Sequence, residues 1–169
     1  MRSFLFVPGD SERKLAKGPS SGPDGLILDL EDSVATDRKM IARDMVLAYL
    51  KSANRAGPKL YVRVNALDTG LTLGDLAVVI QGRPDGIVFP KCVGQANIDL
   101  LATYLDALEA REGIEAGATR ILTIATESAA ARPARGLGGE HHDPGVADSV
   151  RQSVAGVGRH VLLPGLDRR

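Results

Sequence analysis

Apolar positions along the first 127 residues fall into two alternating rhythms. Compact runs at Phe4-Leu5-Phe6-Val7, Leu26-Ile27-Leu28-Asp29-Leu30, Leu60-Tyr61-Val62-Arg63-Val64-Asn65, Gly86-Ile87-Val88-Phe89 and Arg120-Ile121-Leu122-Thr123-Ile124-Ala125-Thr126-Glu127 predict five strands. Between them the spacing turns helical. Asp10 or Ser11 is placed to cap a helix over Glu12 to Lys17, and Thr36 to cap one carrying Met40, Ile41, Met45, Val46, Tyr49 and Leu50. A weaker helix is predicted from Leu71 to Ile80, interrupted by Gly74, and a clean stripe of Ile98, Leu101, Leu105 and Leu108 stops before Gly113. Gly18-Pro19, Gly22-Pro23, Gly57-Pro58 and Gly82-Arg83-Pro84-Asp85 punctuate the connections. Strict alternation of strand and helix predicts a parallel α/β architecture.

The second run ends in acids, Asp29-Leu30-Glu31-Asp32. In strand geometry Ile27, Asp29 and Glu31 share one face and Leu26, Leu28 and Leu30 the other, so packing and chemistry can be separated. Taken alone, these acids either cap the next helix or open a site. The third run repeats the pattern, with Leu60, Val62 and Val64 opposite Tyr61, Arg63 and Asn65. Lys91 follows the fourth run and Glu127 closes the fifth. Four successive strand ends therefore carry ionisable groups, and the C-terminal rim of a parallel sheet is where α/β enzymes place their sites.

After about residue 131 the rhythm stops. Residues 132–169 contain no Ile, Phe, Tyr, Met or Lys, yet hold six Arg and all three His. Val161-Leu162-Leu163 is their one compact apolar run. Two domains are expected, an α/β unit over 1–131 and an irregular or disordered tail over 132–169. We favour a chain that has left its ancestral reading frame or been truncated, so that this tail was never selected to complete the fold. The charge balance, 21 basic against 21 acidic residues, gives no general attraction to nucleic acid or membrane. The lone Cys92 and an opening apolar run too short for a signal segment or membrane span suit a cytoplasmic protein.

Phe4-Leu5-Phe6-Val7-Pro8-Gly9-Asp10, Leu28-Asp29-Leu30-Glu31-Asp32-Ser33-Val34, Val62-Arg63-Val64-Asn65, Gly86-Ile87-Val88-Phe89-Pro90-Lys91 and Ile124-Ala125-Thr126-Glu127-Ser128 together resemble the citrate lyase beta-subunit and malyl-CoA lyase superfamily. The resemblance implies about five βα units of a TIM (β/α)8 barrel. It also implies a Mg²⁺-dependent CoA-ester lyase acting on an acyl-CoA and a small keto or hydroxy acid. Arg63 matches the arginine that binds the substrate carboxylate, Glu127 the first metal-ligating carboxylate, which also contacts substrate, and Glu31 and Asp32 the catalytic acidic pair, whose roles stay open. A second metal-binding Asp follows the sixth strand in the family, and nothing after Ala131 matches it. The alternative expectation is an inactive remnant that binds acyl-CoA or a full-length relative. Exposed strand edges point to a homo-oligomer. His141-His142 lacks further spaced ligands and reads as a solvated loop, and Gly136-Leu137-Gly138-Gly139 lacks the strand a phosphate loop requires.

Overall fold

The computed structural model describes residues 1–124 together with Val161 and Leu162. Strands β1 (Phe4–Pro8), β2 (Gly25–Asp29), β3 (Lys59–Arg63), β4 (Gly86–Phe89) and β5 (Arg120–Thr123) lie side by side in chain order, every neighbour parallel. A two-residue strand β6 (Val161–Leu162), drawn from the tail's compact apolar run, pairs parallel with β5. Helices α1 (Glu12–Lys17), α2 (Lys39–Ser52), α3 (Thr72–Val79) and α4 (Gln95–Arg111) connect the first five strands.

One face of the sheet carries the main core. Leu26, Leu28, Leu60, Val62, Ile87 and Ile121 pack there against Leu15, Val46, Leu50, Leu76, Leu101 and Leu105 of the four helices. Sequential parallel strands with every helix on the same face form the arc of a barrel. The opposite face is the barrel interior. It holds a small second cluster of Ile27, Tyr61 and Val88, joined by Leu122 and Ile124. At the β1 end this face is open: Phe4 and Phe6 are 39% and 46% exposed, and the Phe4 ring meets Tyr61 edge-on at 5.4 Å.

Two glycines are fixed by close approach. A Cβ on Gly9 would stand 2.7 Å from the Asp29 carbonyl oxygen that its own N–H reaches at 2.8 Å. One on Gly86 would stand 2.7 Å from the Tyr61 ring. Gly74 does not interrupt α3. A Cβ there would lie 3.1 Å from the Arg43 guanidinium, which crosses the helix at that point.

Ser11 stands at the N-cap of α1 with extended backbone, φ −131°, but the expected side-chain caps do not form. Neither Asp10 nor Ser11 caps α1 through its side chain, because the Asp10 carboxylate accepts the Arg38 Nε–H at 2.8 Å instead. Thr36 opens a 3-10 turn ahead of α2 without a side-chain bond. In both places an available cation or a tighter turn displaces the capping geometry. None of the helices among the described residues is long and apolar enough to cross a membrane.

Candidate active site

Parallel register brings the carboxyl ends of the strands level. Pro8 stands beside Asp29, Asp29 beside Arg63, and Arg63 beside Val88. Asp29 and Arg63 are neighbours on the interior face because each is the last residue of its strand.

Arg63 lays the Nε–Nη2 edge of its guanidinium on Asp29, donating to the two carboxylate oxygens at 2.8 and 2.7 Å. Phe6 of β1 covers the guanidinium, with the Arg63 Cζ 4.8 Å from the ring centroid. Asp29 also accepts the Glu31 N–H at 2.8 Å, the Ser33 N–H at 3.1 Å and the Ser33 hydroxyl. Burial pushes the Asp29 carboxyl up, but these bonds, Arg63 first and then Ser33 and Glu31, outweigh it and hold the group below the usual aspartate range.

The turn that Asp29 organises delivers Glu31 and Asp32. Glu31 is buried, with one oxygen 3.3 Å from Arg63 Nη1 and the other 3.2 Å from Lys91 Nζ. Among the described residues, neither oxygen accepts a hydrogen bond of good geometry. Burial, reinforced by the charge of Asp32, raises the Glu31 carboxyl above the ordinary glutamate range, and Lys91 and Arg63 do not reverse it. Asp32 is mostly exposed and lies 3.3 Å from Arg63 Nη1. Lys91 enters from the end of β4 with a left-handed backbone, φ 49°. Its pairing with Glu31 holds it protonated above the ordinary lysine value. The loop is clamped from behind by Lys39, whose Nζ donates to the carbonyls of Leu30 at 2.8 Å and Glu31 at 2.6 Å.

Three of the four residues expected from sequence, Glu31, Asp32 and Arg63, therefore converge within about one ion-pair distance. Glu127 lies outside the described residues, as do His141, His142 and the Gly136–Gly139 segment. Asn65 does not belong to the cluster. It turns away to Asp75 of α3, which accepts the Asn65 N–H at 2.9 Å and its Nδ2 at 2.7 Å, while the other Asp75 oxygen accepts Arg43 Nε and Nη2 at 3.0 and 2.7 Å. Cys92 is buried as a small hydrophobe, and burial raises its thiol.

The sequence reading missed the parts played by Asp29, Ser33, Lys39 and the Arg43–Asp75 pair. Only the first left a legible trace: an aspartate at a strand end commonly accepts the N–H two residues on, as Asp29 does from Glu31.

Among the described residues, no group of three or more His, Cys, Asp or Glu side chains comes together to hold a metal ion. The carboxylates present are committed to cations, Asp29 to Arg63 and Glu31 to Arg63 and Lys91, so a divalent ion set among them would meet two positive side chains. The described rim does not by itself assemble a Mg²⁺ site, and Glu127, matched to the metal-ligating position, lies outside the described residues. The described rim fits an anion and a proton.

A groove of about 540 Å³ opens where α2 and α3 end and β3 and β4 begin, lined by Lys51, Arg55, Lys59, Arg83 and Asp85 among others. Two of its cations serve the fold. Arg55 donates to the carbonyls of Leu50 at 3.0 Å and Gly82, and Lys59 pairs with Asp85 at 3.0 Å.

Comparison with known proteins places this geometry. The family described as HpcH/HpaI aldolase/citrate lyase matches residues 2–132. A (3S)-malyl-CoA thioesterase of Cereibacter sphaeroides is 36% identical over 107 residues, 63% of this chain and 38% of that protein. The mitochondrial citramalyl-CoA lyase of Homo sapiens is 35% identical over 103 residues, 60% of this chain and 30% of that protein. The chain thus spans well under half the length of these relatives. Among solved structures, Haloferax volcanii malate synthase superposes with a TM-score of 0.67 at 17% identity, over 76% of this chain and 42% of that one. The citrate lyase beta subunit of M. tuberculosis, complexed with oxaloacetate and magnesium, gives 0.51 at 26% identity, over 95% of this chain and 76% of that one. The expected partial (β/α)8 barrel is borne out by these neighbours and by the strand order.

Proposed function

The chain belongs to the HpcH/HpaI aldolase/citrate lyase family, and we propose that its rim serves a lyase that cleaves or forms a carbon–carbon bond next to the hydroxy-acid carbon of a citryl-CoA or malyl-CoA type ester. The observation that carries this is the Arg63 guanidinium, fixed by Asp29 at the carboxyl end of the sheet, beside a buried glutamate whose pKa is raised.

Arg63 presents the Nη1 end of a rigid fork, suited to the carboxylate of a keto or hydroxy acid. In the cleavage direction Glu31 takes the hydroxyl proton. The carbon–carbon pair passes to the carbon next to the thioester as the keto group forms, and the proton returns to that carbon, giving acetyl-CoA and a keto acid. A carboxyl raised toward working pH can make both transfers. Asp32 acts on Glu31 through its charge, and Lys91 restrains it from the β4 side.

Mg²⁺ is part of the proposal, supported by the magnesium in the M. tuberculosis complex and by the match of Glu127 to a metal-ligating position. When bound it supplies polarisation of a carbonyl oxygen. A cytoplasmic location and a homo-oligomeric state complete the reading.

The test is a coupled assay for acetyl-CoA released from malyl-CoA or citryl-CoA. Turnover abolished by EDTA and by Arg63→Ala supports the lyase. Free CoA in place of acetyl-CoA would favour the hydrolysis named for the Cereibacter relative. Because the chain spans 38% of that relative, a second reading is a noncatalytic chain that binds acyl-CoA or a full-length relative. A folded spectrum without turnover would favour it.

A further inference from the structure

We propose that Asp29 is the positioning residue of this site, selecting which edge of the Arg63 guanidinium meets the substrate carboxylate and fixing the Glu31 turn in the same step. The proposal rests on the reading of Arg63 as the carboxylate binder, and it gives a role to a residue to which the resemblance assigns none.

A guanidinium offers a carboxylate two bidentate edges, Nε with Nη2 and Nη1 with Nη2. Asp29 takes the first at 2.8 and 2.7 Å, so the edge through which Arg63 can engage any other carboxylate, of a ligand or of the chain, is the second. Nη1 donates to Asp32 at 3.3 Å and lies 3.3 Å from Glu31, so a ligand carboxylate at this edge shares or replaces those contacts. The Phe6 ring restrains the guanidinium plane from β1. Asp29 is fully buried and is itself held from the far side by the N–H groups of Glu31 and Ser33 and by the Ser33 hydroxyl. One carboxylate therefore ties the end of β3 to the β2 loop. Without it the long Arg63 side chain must be ordered by each ligand that binds, and that entropy is subtracted from affinity.

The experiment uses the full chain. Oxaloacetate is titrated calorimetrically into wild type, Arg63→Ala, Asp29→Asn and Ser33→Ala, and the Arg63 Nε–H resonance is followed by NMR. Asp29→Asn should weaken oxaloacetate binding by about tenfold or more, the scale of one charge-assisted hydrogen bond. It should also shift the Nε–H signal out of its hydrogen-bonded position. Asp75→Asn, which weakens the fold elsewhere, should leave that signal in place. An Nε–H signal unchanged in Asp29→Asn overturns the proposal whatever the binding result. So does wild-type affinity in Asp29→Asn when Arg63→Ala has lost binding. If wild type and Arg63→Ala bind alike, the carboxylate reading of Arg63 fails, and with it the substrate-facing part of the proposal, even where the Nε–H signal still tracks Asp29. Should Asp29→Asn not fold, Ser33→Ala decides. A binding loss of about twofold to threefold with a displaced signal supports the assignment, and no change in either overturns it.

Discussion

Asp75→Asn removes the charge from a carboxylate that holds three parts of the molecule together. Its two oxygens accept four hydrogen bonds, two from Arg43 of α2 and two from Asn65 beyond β3. The Arg43 and Asp75 side chains are only 8% and 1% exposed, so water cannot replace what is lost. An asparagine keeps one acceptor oxygen and turns an NH₂ toward the other pair of donors. Breaking a buried pair in this way costs about 3–5 kcal/mol, because a charge stays buried without its counterion. That is a large share of the roughly 5–15 kcal/mol that ordinarily separates folded from unfolded chains. With a urea m-value of about 2 kcal/mol per molar, the unfolding midpoint should fall by about 1.5–2.5 M. The reasoning makes a second demand. Replacing both partners, Arg43→Met with Asp75→Leu, should recover part of the loss, because no charge is then left buried without its counterion. A loss under about 1 kcal/mol for Asp75→Asn, or a double variant worse than the single, would refute the account.

The remaining predictions concern pH and packing. Glu31 binds its proton more tightly folded than unfolded, so stability should fall as pH rises from the ordinary glutamate pKa through its raised value, and Glu31→Gln should flatten that arm of a pH–stability curve. Asp29 has the opposite sign, its contribution present above the ordinary aspartate pKa and lost as pH falls through its lowered value, a loss that Asp29→Asn should abolish in acid-unfolding curves. Lys91→Met removes a cation 3.2 Å from Glu31 and should move the Glu31 carbon-13 titration midpoint further up; a fall would contradict the pairing. Gly9→Ala forces a methyl to 2.7 Å from the Asp29 carbonyl and 2.8 Å from Val46, and should cost about 1–3 kcal/mol in thermal unfolding.

What the amino-acid pattern conveys and what it hides divide along physical lines. The five strands and four helices are legible because burial imposes periodicity: Leu26, Leu28 and Leu30 on one side of a strand, or Ile98, Leu101, Leu105 and Leu108 along a helix, follow from the geometry of a chain packed on one face. The convergence of Arg63 and Glu31 is legible for the same reason, since parallel register levels the strand ends. Partner choice among polar groups is not periodic. Asn65 reads as a rim residue by alternation, but the chain leaves the strand after Arg63 and Asp75 captures it. Asp10 has the composition of a cap, yet a cation from the next loop takes it. Gly74 reads as a helix breaker until the guanidinium lying across it is seen. In each case the deciding contact comes from another element, at a sequence distance no local pattern encodes.

The strand order has a consequence for how this chain is made. Gly25 pairs back to Phe4 and forward to Lys59, and Gly86 pairs back to Tyr61 and forward to Arg120, so none of the pairings among β1 to β5 skips a unit. Each newly synthesised strand finds its partner in the segment that left the ribosome just before it, and the closure entropy of the sheet is met in short, similar steps rather than in one long-range event. A nascent chain released as far as Arg63 already carries both halves of the Asp29–Arg63 pair. The first three strands can therefore bring this pair together before β4 and β5 have left the ribosome, with translation itself setting the order of events.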